Sequence, residues 1–270
     1  MSGSLGCLAL LLGFTSAAQA QGGPPLLTDD PGTPGNRNWE INISSRQFFS
    51  RLEKEIEAPL LDINYGVGDR IQLKYEVPYL FDSDDGGPYR GAVGNSLFGV
   101  KWRFYQQKNE KGWRISTYPQ LEVNNPDDSA VRGLVDRGPR FLLPIEATKI
   151  LGPLEVNFEG GYWFSRRSSD ERILGLAVGH EFNSRFEGLA EIYDDVLMGG
   201  EKRSTTFDIG GRYEFHRGLL LLFMVGHSLG AGGQRPAYIG YCGLQIQITR
   251  GPRARRASPT YGNVPLPARK

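Results

Sequence analysis

From Trp39 to Ile248 apolar and polar residues alternate with a period of two over stretches of about ten residues, the spacing of strands with one face in an apolar medium. Ile71, Leu73, Tyr75, Val77 and Tyr79 interleave with Gln72, Lys74, Glu76 and Pro78. Phe98, Val100, Trp102 and Phe104 alternate with Gly99, Lys101 and Arg103, and Trp113, Ile115, Thr117, Leu121 and Val123 with Arg114, Ser116, Gln120 and Glu122. The pattern returns in Leu154, Val156, Phe158, Tyr162 and Phe164 against Glu155, Asn157 and Glu159, and in Phe207, Ile209, Tyr213 and Phe215 against Asp208, Arg212 and Glu214. All such runs together predict about twelve strands and no helix.

The links between runs alternate in length. Polar stretches at 44–55, 81–95, 124–139, 166–171, 194–203 and 229–235 separate tight links at 66–69, 150–153, 183–185 and 216–218, with 106–112 somewhat longer. Short turns at one end and long loops at the other describe an antiparallel up-and-down membrane barrel with its short turns periplasmic. A secreted sandwich or lipocalin-like barrel is the competing reading. Width separates them, because side chains fill a barrel of about eight strands, whereas about twelve enclose a space too wide for an apolar interior. The apolar face then points outward into lipid. Trp39, Tyr65, Tyr79, Trp113, Phe164, Phe186 and Phe215 sit towards strand ends, where an interfacial girdle would place them.

Residues 1–20 read as a signal peptide, with an apolar stretch from Leu5 to Phe14 and the small-x-small triplet Ala18, Gln19, Ala20. Its removal takes Cys7 and leaves Cys242, so no internal disulfide is expected. Residues 21–38, rich in Gly and Pro, read as an extended periplasmic lead-in, 39–249 as the barrel, and 250–270 as a disordered basic tail carrying Arg250, Arg253, Arg255, Arg256, Arg269 and Lys270. No apolar run is long enough for a transmembrane helix. The formal net charge of +1 offers no basic excess for nucleic acid.

Motifs for chemistry are sparse. Gly226-His227-Ser228-Leu229-Gly230 spells the nucleophile pentapeptide of lipases and esterases, but no helix-forming stretch follows, and no histidine follows Ser228. A Ser/His site on the barrel wall would need both side chains on one face, and neighbours on a strand point to opposite faces. Three scattered histidines give no metal cluster, and Asp82, Asp84 and Asp85 lack the spacing of a calcium loop. No enzyme and no cofactor is expected.

The polar face remains. Lys74, Glu76, Lys101, Arg103, Arg114, Glu122, Glu155, Glu159, Glu187, Glu191, Asp208, Arg212 and Glu214 are the candidate lumen-lining residues. Opposed acids and bases suit either a water-filled passage with a transverse field or a lumen stapled shut by ion pairs. The apolar run 219–225, with Gly175, Ala177 and Gly179 nearby, predicts that part of the lumen is greasy, which suits a hydrophobic or aromatic solute.

The residues Ala58-Pro59-Leu60-Leu61-Asp62-Ile63-Asn64-Tyr65-Gly66-Val67-Gly68-Asp69-Arg70, continuing to Tyr79, resemble the outer-membrane proteins grouped as the meta-pathway phenol-degradation family. Leu27-Thr28-Asp29-Asp30-Pro31 and Asn38-Trp39-Glu40-Ile41 are similar too. The resemblance implies a transporter-like barrel passing aromatic compounds and brings no catalytic residues. The expectation is therefore a bacterial outer-membrane barrel in contact with membrane lipid, acting as a channel or porin for small hydrophobic or aromatic solutes. The alternatives are a closed structural or adhesive barrel and, more remotely, a barrel-wall lipid hydrolase.

Overall fold

A computed structural model of the chain describes residues 23–50, 53–84, 87–109, 111–199, 203–229 and 238–249. The expected signal peptide and basic tail lie outside these residues. The strands are β1 (Trp39–Phe49), β2 (Glu53–Val67), β3 (Ile71–Asp84), β4 (Arg90–Val93), β5 (Ser96–Gln106), β6 (Arg114–Thr117), β7 (Gln120–Val123), β8 (Arg140–Leu151), β9 (Leu154–Ser165), β10 (Glu171–Asn183), β11 (Phe186–Leu197), β12 (Arg203–His216), β13 (Leu219–Ser228) and β14 (Tyr238–Ile248).

These fourteen strands form the twelve staves of a closed antiparallel barrel. β4 and β5 are two pieces of one stave, because both pair with β3, from Asp82↔Arg90 to Ile71↔Trp102. β6 and β7 are likewise one stave, interrupted at Tyr118 and Pro119, and both pair with β5 and β8. Pro119 has no N–H to give the ladder, which accounts for the break. Closure comes from β1 and β14, paired along their full length from Trp39↔Ile248 to Phe49↔Tyr238.

Period-two alternation sorts the side chains. Val100, Trp102, Ile145, Phe158, Leu176, Ile209 and Val225 are exposed on the outside. Their sequence neighbours Lys101, Glu146, Asn157, Glu159, Ala177 and Asp208 are buried inside. This inverts a soluble fold and requires an apolar surrounding for the outer face. At one end the chain reverses tightly at 68–70, 152–153, 184–185 and 217–218, where Gly68, Gly152 and Gly218 hold the positive φ that such turns require. The loops at the other end are longer, as at 124–139.

One expected long link is short. Residues 44–55 read as a loop because polar residues crowd both faces there, yet β1 continues to Phe49 and β2 starts at Glu53. The strands run past the apolar belt, and the Arg46 guanidinium donates to the Glu57 carboxylate between them.

The orientation of the apolar face generates a prediction. Ile209→Arg, at the middle of the β12 outer face, should destabilise the barrel in phospholipid vesicles by about 2–4 kcal/mol, whereas Phe215→Arg, near the turn, should cost about 1 kcal/mol or less, read by denaturant unfolding.

Candidate functional site

The segment expected as an extended periplasmic lead-in lies, from Gly23 onward, inside the barrel. Its hold begins at the strand before the β2–β3 turn. Arg37 N donates to Gly66 O at 2.8 Å, and Gly66 N donates to Asn38 O at 3.0 Å. Gly66 has no room for a side chain, since a Cβ there would overlap the backbone of Gly35. From this anchor residues 23–34 run into the lumen, where Leu26, Thr28 and Asp30 are buried.

Two kinds of wall residue grip the segment. Carboxylates take its amides: Leu27 N and Thr28 N donate to the two oxygens of Glu191, each at 2.8 Å, and Asp29 N donates to Glu159 Oε2 at 2.8 Å. Cations take its carbonyls: Arg212 Nη2 donates to Pro24 O at 2.9 Å and Gly23 O at 3.2 Å, Arg103 Nη1 to Pro31 O at 3.0 Å, and Lys101 Nζ to Asp30 O. Lys101 also meets Asp29 Oδ1 at 2.5 Å. Gly175 lies between Glu159 and Tyr193 on the neighbouring strands, and Thr28 fills the space its missing side chain leaves.

Further charged pairs cross the wall. Arg114 Nη2 lies 2.8 Å from Glu155 Oε2, Lys74 Nζ 2.7 Å from Glu76 Oε2, and Arg212 Nη1 3.3 Å from Glu187 Oε2. Asp208 is fully buried and accepts from Thr206 Oγ1 at 3.0 Å. Two expected lumen residues sit apart from this group. Glu122 accepts from Asn95 Nδ2 at 2.8 Å towards the long loops, and Glu214 accepts from Gly218 N at 2.9 Å in a tight turn.

Sequence reasoning missed Asp29 and Asp30 on the segment, and Asp62, Tyr118 and Glu146 on the wall. Glu146 was findable, since it shares the parity of Leu142 and Thr148 between outward Phe141, Leu143 and Ile145. It accepts from Ser116 Oγ at 2.6 Å and lies 3.8 Å from Lys101 Nζ. Tyr118 places its ring 4.5 Å from Lys101 Nζ, a cation–π contact. Asp62 accepts from Asn42 Nδ2 and Asn64 Nδ2, each at 3.0 Å.

The lumen also holds an apolar cluster. Leu60, Ala177, Leu189, Leu222, Met224, Ile239 and Tyr241 surround Leu26 of the segment. The expected greasy sector is thus present, with the alternate residues Leu222 and Met224 of the 219–225 run turned inward. The cavity left beside the segment, between Asp29, Glu40, Asp62, Lys74, Lys101 and Tyr118, measures about 30 Å³, space for one or two waters. The His227 ring faces outward against Tyr238, with centroids 4.7 Å apart, and its Nδ1 lies 2.6 Å from the main-chain oxygen of Ser228 rather than from its hydroxyl.

No family model matches the chain, and no curated protein matches it, so the family resemblance rests on the residues that carry it. Solved structures share the fold. An outer-membrane channel from Pseudomonas putida F1 superposes with a TM-score of 0.65 at 13% identity, covering 81% of this chain and 98% of that one. The NanC porin gives 0.53 at 8% identity, over 78% of this chain and 100% of its own. The translocator domain of the autotransporter NalP from Neisseria meningitidis gives 0.53 at 9% identity, over 78% and 89%.

Lys101→Met leaves Asp29 and Glu146 without their cation and should destabilise the protein by about 3–5 kcal/mol in denaturant unfolding. Removing the exposed Arg132–Asp128 pair through Arg132→Met should cost under about 1 kcal/mol. Gly175→Val removes no charge but projects into Thr28, and should raise protease cleavage within residues 23–34 of the folded barrel.

Proposed function

We propose that the protein is a bacterial outer-membrane channel for small solutes whose lumen is occupied at rest by its own residues 23–34. The carrying observation is the pairing of a closed, outwardly apolar barrel with an interior whose charged side chains, besides pairing with one another, bind a piece of main chain. A barrel closed only for structural reasons could satisfy Glu191, Glu159 and Arg212 with wall partners. Here their hydrogen bonds reach residues 23–29 of the segment, with Arg212 also giving Nη1 to Glu187. Likeness to channels and porins supports the reading at the level of fold.

Two features bear on the solute. The apolar cluster around Leu222, Met224 and Tyr241 gives a small hydrophobic or aromatic molecule a surface that a sugar would not use, in line with the family resemblance. Among the buried charged residues of the wall, the acids Asp62, Glu146, Glu155, Glu159, Glu191 and Asp208 outnumber the cations Lys101, Arg114 and Arg212. Ions entering such a lumen would be mainly cations.

Single-channel recording of the full chain in a planar bilayer tests this. The intact protein should give small, infrequent steps. Glu191→Gln with Arg212→Gln, which weakens both rows of main-chain contacts, should give larger and longer ones, with a reversal potential that reports cation preference. Added indole should reduce that current and sucrose should not. Silence from the variant in its folded, heat-modifiable form would favour the closed structural barrel.

A further inference from the structure

Above the apolar belt, on the outer face of β10, β11 and β12, two arginines converge on one carboxylate. Parity settles the direction. Arg172 shares its face with exposed Leu174 and Leu176, Asp194 with exposed Ile192, and Arg203 with exposed Phe207 and Ile209, so all three charged side chains point away from the lumen. Register sets them side by side, since Tyr162, Arg172, Val196 and Arg203 form one row across four strands. Two strand spacings put the arginine backbones roughly 10 Å apart.

Asp194 is enclosed beneath them. It accepts from Arg203 Nε at 2.6 Å and Thr205 Oγ1 at 2.7 Å, with Arg172 Nη2 at 3.5 Å. Its side chain is 10% exposed, while those of Arg172 and Arg203 remain 48% and 65% exposed. Arg203 commits Nε to this bond, and most of its side chain stays exposed. The adjoining 166–170 loop adds exposed Arg166 and Arg167 against Asp170, which is engaged by Ser165 N at 2.8 Å and Tyr162 Oη at 3.3 Å. Glu171 points inward, to Arg140. The patch therefore carries a cationic excess at the level of outward-facing Tyr162 and of the stacked rings of Phe141 and Phe164, where an aromatic girdle meets headgroups.

We propose that this face binds the phosphate groups of a phosphorylated glycolipid of the outer leaflet. The proposal rests on the outer-membrane reading above, with the short turns periplasmic. An arginine held open at the membrane boundary needs an anion, and a planar guanidinium matches phosphate oxygens in a bidentate fork. Asp194 orients both guanidiniums without neutralising both. The apolar residues below, Leu174, Ile192 and Phe207, would lie along the acyl chains of the same lipid.

The test uses the full chain in phosphatidylcholine vesicles doped with rough-type lipopolysaccharide or with the same lipid after enzymatic dephosphorylation. Bound glycolipid is measured after detergent extraction. The wild type should retain the phosphorylated lipid, and retention should weaken at least about tenfold, the loss of one charge-assisted contact, both for the dephosphorylated lipid and for Arg172→Gln with Arg203→Gln. Arg217→Gln, at the opposite rim, should bind as the wild type does. Equal retention of the two lipids, or by the double variant in its heat-modifiable form, overturns the site while leaving the outer-membrane reading intact. A wild-type chain that does not insert into vesicles overturns both. Should the double variant not fold, the comparison of the two lipids on the wild type decides alone.

Discussion

The hydrogen-bonded seam between β1 and β14 is the constraint on which the rest depends. In a lipid medium an unpaired strand edge exposes donors and acceptors that nothing outside can satisfy, at several kcal/mol for each group. Pairing from Trp39↔Ile248 to Phe49↔Tyr238 removes that edge. Closure at twelve staves then fixes the diameter, and the diameter leaves an interior too wide for wall side chains alone. The occupied lumen follows from this geometry, for a wide polar interior must hold water, a solute or a piece of the chain.

That piece of chain answers an electrostatic need. The wall places more carboxylates than cations in enclosed surroundings, and main-chain amides offer partial positive charge without adding ions. Glu191 and Glu159 use them in that way, while Arg212, Lys101 and Arg103 take the carbonyls of the same stretch. The segment meets both kinds of surface, with Leu26 in the apolar cluster and Asp29 against Lys101. The interior therefore combines wall-to-wall ion pairs, such as Arg114 with Glu155, with wall-to-segment hydrogen bonds.

Much of the barrel was legible because alternation is a local property. The alternating runs from Ile71, Leu154 and Phe207 and the apolar run 219–225 fall on β3, β9, β12 and β13, and Lys101, Arg114, Glu155, Glu159, Glu191, Asp208 and Arg212 are buried inside the barrel. Polarity on both faces disguised the ends of β1 and β2, where strands leave the apolar belt. Glu146 was overlooked although its parity was visible. The position of residues 23–34 could not be read at all: the stretch is aperiodic, and most of its bonds are made by its backbone, which every sequence shares. Side chains add a smaller share, as where Asp29 meets Lys101 and Thr33 Oγ1 donates to Asp69 O at 3.0 Å.

The grip of Glu191 on two successive amides has an evolutionary consequence. A carboxylate that binds peptide groups does not inspect the side chains between them, so the side chains of the occupied stretch are constrained by their own contacts, as at Leu26, Thr28 and Asp29, and not by this grip. The wall cannot drift equally, because Gly66 and Gly175 admit no larger residue where the segment passes. Homologous barrels would then keep their small wall positions and vary other residues that pass over them, so that the lining of the interior could change through a few residues before the first strand without redesigning the barrel.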